Sequence, residues 1–137
     1  MSPLPSRTLS VTINRDWREV YAYASDPANM REWAAGLGGS FEPSGDEWLV
    51  RDPGGKLVRM RFAGPNDHGV LDHDVITGDG TVHVAMRVVP NEDGAEVTFL
   101  LLQTPGMSDD DFRRDGAAVQ ADLDSLKALM ERRAGLG

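Results

Sequence analysis

The apolar positions of residues 108–133 repeat with a helical period: Phe112, Val119, Leu123, Leu126 and Met130 stand seven, four, three and four residues apart. That spacing keeps them on one stripe of a 3.6-residue helix, with Ala118, Ala121 and Leu129 along its margins. It predicts one long amphipathic helix, Ser108 to Arg133. Ser108 is placed to cap the first free amides, and Asp109, Asp110 and Asp111 put negative charge at the positive end of the helix dipole. Asp111, three residues after the cap, gives a shorter-chained capping box. Lys127, Arg132 and Arg133 lie near the opposite end, and Gly135 can close the helix in a left-handed turn.

The rest of the chain changes period. Ser6 to Ile13 alternates Leu9, Val11 and Ile13 with Thr8, Ser10 and Thr12, a half-buried strand. Asn14 or Asp16 then caps a short helix to Ala24, with Trp17, Val20, Tyr21 and Ala24 on one face. Pro27 opens a second short helix capped by Asp26, with Met30, Trp33 and Leu37 as its inner edge and Gly36, Gly38 and Gly39 at its end. Six strands follow, Ser40–Pro43, Glu47–Arg51, Leu57–Phe62, Val70–Ile76, Thr81–Val89 and Glu96–Gln103, separated by Gly-, Pro-, Asn- and Asp-rich turns. Short strands joined by tight turns make an antiparallel meander. One strand, two helices, six strands and a long helix specify an α+β layer arrangement, a seven-stranded sheet curving around the terminal helix.

The 137 residues fit one domain with a core that needs no cross-links, and the absence of cysteine excludes disulfides, thiol nucleophiles and thiolate metal sites. A formal net charge of −8 argues against a nucleic-acid partner, whose backbone is held by clustered Lys and Arg. Met1 to Ser10 lack the pattern of a signal peptide, and no stretch is apolar for long enough to insert into a membrane. A cytoplasmic location is expected.

Three stretches carry a family resemblance: Asn66-Asp67-His68-Gly69-Val70-Leu71-Asp72-His73-Asp74-Val75, Met86-Arg87-Val88-Val89-Pro90-Asn91, and Thr104-Pro105-Gly106-Met107-Ser108-Asp109-Asp110-Asp111-Phe112. With the order of elements, they resemble the helix-grip fold of the START-like, or SRPBCC, superfamily. That superfamily includes the bacterial polyketide cyclase/dehydrase and lipid-transport group, and the stretches look like a subgroup of it with a Gly-Val-Leu-Asp-His strand, tied to no particular activity. The resemblance covers about residues 6–133. It implies a cavity between a concave sheet and the last helix that takes lipids, sterols, polyketides or other hydrophobic molecules. It implies no shared catalytic motif, so no catalytic residue is carried over. The stretches typical of the superfamily's co-chaperone branch are not seen.

The chemistry-bearing residues are few. In Val70–Ile76, alternation sets Leu71, His73 and Val75 on one face and Val70, Asp72, Asp74 and Ile76 on the other. The acids belong in water, so His73 is expected to look inward. There it can contact a ligand or serve as acid or base near neutral pH; equally, it can be a buried histidine satisfied by a neighbour. Tyr21, sharing a face with Trp17, is the candidate hydroxyl near the cavity, while Tyr23 is expected to be exposed. Trp17, Tyr21, Met30, Trp33, Phe41, Met60, Phe62, His73, Met86 and Phe99, with Val119 and Leu123 of the last helix, form the candidate ligand wall. Trp48 falls on the same inward face. Taken singly, each aromatic or Met is ordinary core.

Other residues point away from a site. His68 belongs to a loop and His83 to an outer strand face, so the three histidines fit no usual zinc spacing, and no metal or cofactor is expected. Arg59, Arg61 and Arg87 are expected outside, paired with acids; a one-residue slip of register would bring an arginine inside. No serine lies in a Gly-x-Ser-x-Gly context and no Gly-rich phosphate loop is present. Gly116 is unusual in a helix interior, where it costs ~1 kcal/mol relative to Ala. Three functions remain open. One is a binding protein for a small hydrophobic or aromatic molecule. Another is a cyclase or dehydratase using His73 and Tyr21. The third is an interaction module or homodimer with a collapsed cavity.

Overall fold

The structure, a computed structural model, describes residues 2–34, 41–51 and 55–133. The elements run β1 (Ser6–Ile13), α1 (Trp17–Ala24), a 3₁₀ turn (Pro27–Asn29), α2 (Met30–Trp33), then β2 (Phe41–Ser44), β3 (Glu47–Arg51) and β4 (Leu57–Phe62). After these come β5 (His73–Thr77), β6 (Gly80–Asn91), β7 (Gly94–Leu102) and α3 (Asp109–Arg133). The seven strands form one antiparallel sheet in the order β1-β7-β6-β5-β4-β3-β2. This is the expected helix-grip arrangement.

Two boundaries differ from the alternation pattern. The strand expected at Val70 begins only at His73, because residues 69–72 cross to β6 by separate contacts. Val88 N–H donates to Gly69 O (2.8 Å), Leu71 N–H donates to Met86 O (2.8 Å), and Val70 bridges to Arg87. Gly69 makes the approach possible. Its φ is +70°, and a Cβ there would stand 2.0 Å from Val88 O. The β6–β7 hairpin also runs further than expected, pairing Asn91 with Gly94. Gly36, Leu37, Gly38, Gly39, Ser40 and Gly135 lie outside the described residues.

The registers align inward side chains across the sheet. Leu9 pairs with Phe99 and Phe99 with Met86; Val84 pairs with His73 and His73 with Phe62. On the outer face Arg59 and Arg61 both reach Glu47 (3.1 and 3.3 Å), and Arg87 reaches Asp72 through two nitrogens at 3.1 Å. The register is the expected one, and these arginines stay outside.

The caps form as the sequence suggests. Asp16, rather than Asn14, accepts the Arg18 amide, Asp26 accepts the Ala28 amide, and Ser108 Oγ accepts the Asp111 amide, each at 3.0 Å. The Asp111 carboxylate turns to Arg114 (2.7 Å). The second half of α3 does the anchoring. Leu123, Leu126 and Met130 are buried against the core, each such side chain contributing about 1.5–3 kcal/mol. Polar ties to β1 and the turn after it fix the same half. Lys127 Nζ donates to Thr12 O (2.8 Å), Arg15 Nη1 to Met130 O (3.0 Å) and the Asn14 amide to Glu131 (2.9 Å). No described helix is long and apolar enough to cross a membrane.

Candidate ligand cavity

Between the sheet and α3 lies a cavity of about 340 Å³. The sheet supplies Met60 from β4, His73 and Val75 from β5, Val84 and Met86 from β6, and Phe99 and Leu101 from β7. Helix α2 adds Met30 and Trp33, followed by Ala34; α3 adds Asp115, Ala118, Val119, Asp122 and Leu123. Asp115 and Ala118 are exposed, so the mouth lies along that edge of α3. The volume is at the lower end of the range for small-molecule sites. A second chamber of about 20 Å³, room for roughly one water, adjoins it. Met30, Trp33, His73 and Met86 border both chambers and form the partition.

Apart from the phenol of Tyr23, His73 is the one buried ionisable side chain among the described residues. Its ring lies between Phe62 and Phe99, with centroids 5.7 and 6.3 Å away. Nδ1 sits 3.0 Å from Leu71 O. A carbonyl only accepts, so Nδ1 carries the proton and Nε2 is left as an acceptor. Burial lowers the pKa of His73; the Leu71 carbonyl and the carboxylates of Asp72 and Asp74 oppose that shift without reversing it. The imidazole is neutral at pH 7.

Trp33 presents the complementary group. It is 5% exposed, and its indole Nε1 is buried with no hydrogen-bond partner among the described residues. An unsatisfied buried donor costs about 1–3 kcal/mol. Asp115, at the mouth, has its pKa raised by desolvation and by the charge of Asp111, with Arg114 pulling the other way.

Of the expected wall residues, Met30, Trp33, Met60, His73, Met86, Phe99, Val119 and Leu123 come together around the main chamber. Phe62 reaches the small chamber instead. Phe41 is buried behind the wall, its ring 5.0 Å from that of Trp48 and 6.3 Å from that of Phe62. Trp17 and Tyr21 lie elsewhere. With Arg18, Asn66 and Asp67 they border an outer cleft, where the Arg18 guanidinium sits 4.8 Å above the Trp17 ring and the Asn66 amide donates to the Tyr21 hydroxyl (3.0 Å). The expectation for Tyr23 is reversed too: it is buried, and its hydroxyl donates to Glu32. Both corrections have one cause. The buried stripe of α1 is Val20, Tyr23 and Ala24, and a helix facing Val20 and Ala24 inward can turn either Tyr21 or Tyr23 toward the core. Packing against Glu32 and residues 64–70 decides it.

Sequence reasoning passed over Asp115 and Asp122 because acids read as solvated. Their signal was position: Asp115 lies four residues before Val119 and Asp122 three after it, on the apolar stripe. His68 is exposed in its loop, and His83 lies outside, with Nδ1 2.8 Å from Asp74 and Nε2 3.5 Å from Asp72. The three histidines do not converge.

Solved structures share this architecture at low sequence identity. XoxI from Bacillus cereus superposes with a TM-score of 0.75 over 93% of this chain and 96% of that one, at 13% identity. The Aha1 dimer from Colwellia psychrerythraea gives 0.75 over 93% and 97%, at 12% identity. Ara h 8.0201 gives 0.67 over 93% and 97%, at 11% identity. These likenesses establish the fold. No functionally curated protein matches the sequence. The family match spans residues 6–131, and with it the chain belongs to the polyketide cyclase / dehydrase and lipid transport family of the START-like superfamily.

Proposed function

We propose that this protein binds a small hydrophobic or aromatic molecule, lipid- or polyketide-like, in the cavity between the sheet and α3. The observation that carries the reading is the wall itself. Three Met and two aromatic side chains border a hollow of about 340 Å³ that a well-packed core would have filled. Membership of the family supports it. A native mass and thermal-shift screen against fatty acids, sterols, flavonoids and aromatic polyketides tests it: a hydrophobic binder retains and is stabilised by at least one of these classes. No retained ligand and no shift would reject the reading. The negative charge and family support a soluble cytoplasmic carrier with no nucleic-acid partner, and light scattering distinguishes a monomer from a homodimer.

A second reading, a cyclase or dehydratase, is favoured by one feature, the unprotonated Nε2 of a buried His73. Tyr21 borders the outer cleft and not this cavity, so the reading rests on His73 alone. His73→Gln separates the readings, since an enzyme loses turnover while retaining its ligand, and a carrier has no turnover to lose.

A further inference from the structure

Two polar groups border the partition between the chambers, and they are opposite in kind. Trp33 offers a buried N–H with no partner among the described residues. His73 offers a lone pair on Nε2, because its other nitrogen is committed to Leu71 O. The adjoining chamber of about 20 Å³ has the size of one oxygen-bearing group. A hydroxyl is the smallest group that both accepts and donates a hydrogen bond. A carbonyl would meet only Trp33, and a hydrocarbon neither. Asp115 and Asp122 are the carboxylates among the described residues lining the cavity, and no lysine or arginine is among those residues.

We propose that Trp33 Nε1 and His73 Nε2 jointly hold one hydroxyl of an uncharged, otherwise apolar ligand, while Asp115 turns anionic ligands away. The inference rests on the binding reading above and narrows it to neutral alcohols and phenols. The hydroxyl enters the partition first, accepting from Trp33 and donating to His73, and the apolar body fills the main chamber against Met30, Met60 and Met86. Flexible methionines let the body vary in outline. The polar pair does not vary, so it sets specificity.

Isothermal titration with three probes of similar shape tests this: 2-naphthol, 2-methylnaphthalene and 2-naphthoate. Two hydrogen bonds at about 1 kcal/mol each favour 2-naphthol over 2-methylnaphthalene by roughly tenfold or more, with 2-naphthoate weakest. Trp33→Phe keeps the bulk and removes the N–H, and His73→Leu removes the acceptor. Each lowers 2-naphthol affinity severalfold and leaves 2-methylnaphthalene within about twofold, provided the melting curves show both variants folded. Equal affinity for 2-naphthol and 2-methylnaphthalene, or an unchanged ratio in both variants, overturns the inference while leaving the binding reading intact. Asp115→Asn should strengthen 2-naphthoate binding; 2-naphthoate binding as tight as 2-naphthol, or unchanged by Asp115→Asn, overturns the charge selection. Failure of all three probes to bind overturns this inference together with the reading it rests on.

Discussion

Arg7 occupies the space that a side chain at position 116 would need: an ideal Cβ on Gly116 would stand 2.6 Å from Arg7 Nη1. Arg7 shares the inward face of β1 with Leu9 and Val11, and the bare glycine gives the guanidinium its seat. The obstacle is the mobile tip of an exposed side chain. Gly116→Ala should therefore stabilise the fold by something under ~1 kcal/mol, the helix-propensity gain less the cost of moving Arg7. In an Arg7→Ala background the gain should reach about 1 kcal/mol. Urea unfolding of the four-member cycle reads both numbers, and a large loss from Gly116→Ala alone contradicts the arrangement.

Gly69 should behave in the opposite way. Its φ of +70° disfavours any side chain, and the colliding atom is Val88 O, part of the backbone that receives the 69–72 crossing. Gly69→Ala should cost roughly 2–4 kcal/mol, combining strain and overpacking. Thermal and urea unfolding check it.

Leu126 is fully buried at the centre of the α3 anchor. Leu126→Ala should cost about 2–5 kcal/mol, the range for emptying a core leucine site. A smaller loss in urea unfolding would mean that the anchor lies elsewhere along the helix.

Acid should weaken the fold through His73. Its folded pKa is lowered below the model-peptide value of 6.5, so the unfolded chain binds the proton more readily. Stability falls as pH drops through 6.5 until the folded pKa is reached, by at most ~1.4 kcal/mol per pH unit. His83 carries the opposite sign. Hydrogen bonds that His83 donates to Asp74 and then Asp72 raise its pKa, so its small contribution is present below 6.5 and fades as pH rises through the raised value. Asp72, lowered chiefly by Arg87, matters only in stronger acid, below 3.8. Unfolding free energies of the wild type, His73→Gln and His83→Asn from pH 5 to 8 should show a flatter acid limb only in His73→Gln.

The sheet was legible because its faces alternate with few exceptions; Leu9, Val11, Ile13 and the Leu71–His73–Val75 run each point where their period places them. The orientation of α1 was not. Its sequence holds two overlapping stripes, and the contacts that tell them apart, Tyr23 with Glu32 and Tyr21 with Asn66, reach outside the helix. The large inward side chains that border the hollow were legible in the sequence, and the small or acidic ones beside them were not. Ala34, Ala118 and Asp115 carry no apolar signal of their own. Their role comes from where the fold sets α2 and α3 against the sheet, a tertiary fact.

Because the buried leucines and Met130 all lie in its second half, α3 is fastened unevenly: of residues 109–118 only Gly116 is buried. Breaking the few apolar contacts of that first half costs less than unseating Leu123, Leu126 and Met130. In deuterated water the amides of residues 113–118 should accordingly exchange well before those of residues 123–130. Loosening of that stretch alone would then open a door onto Val119 and the chamber behind it, with the domain otherwise folded.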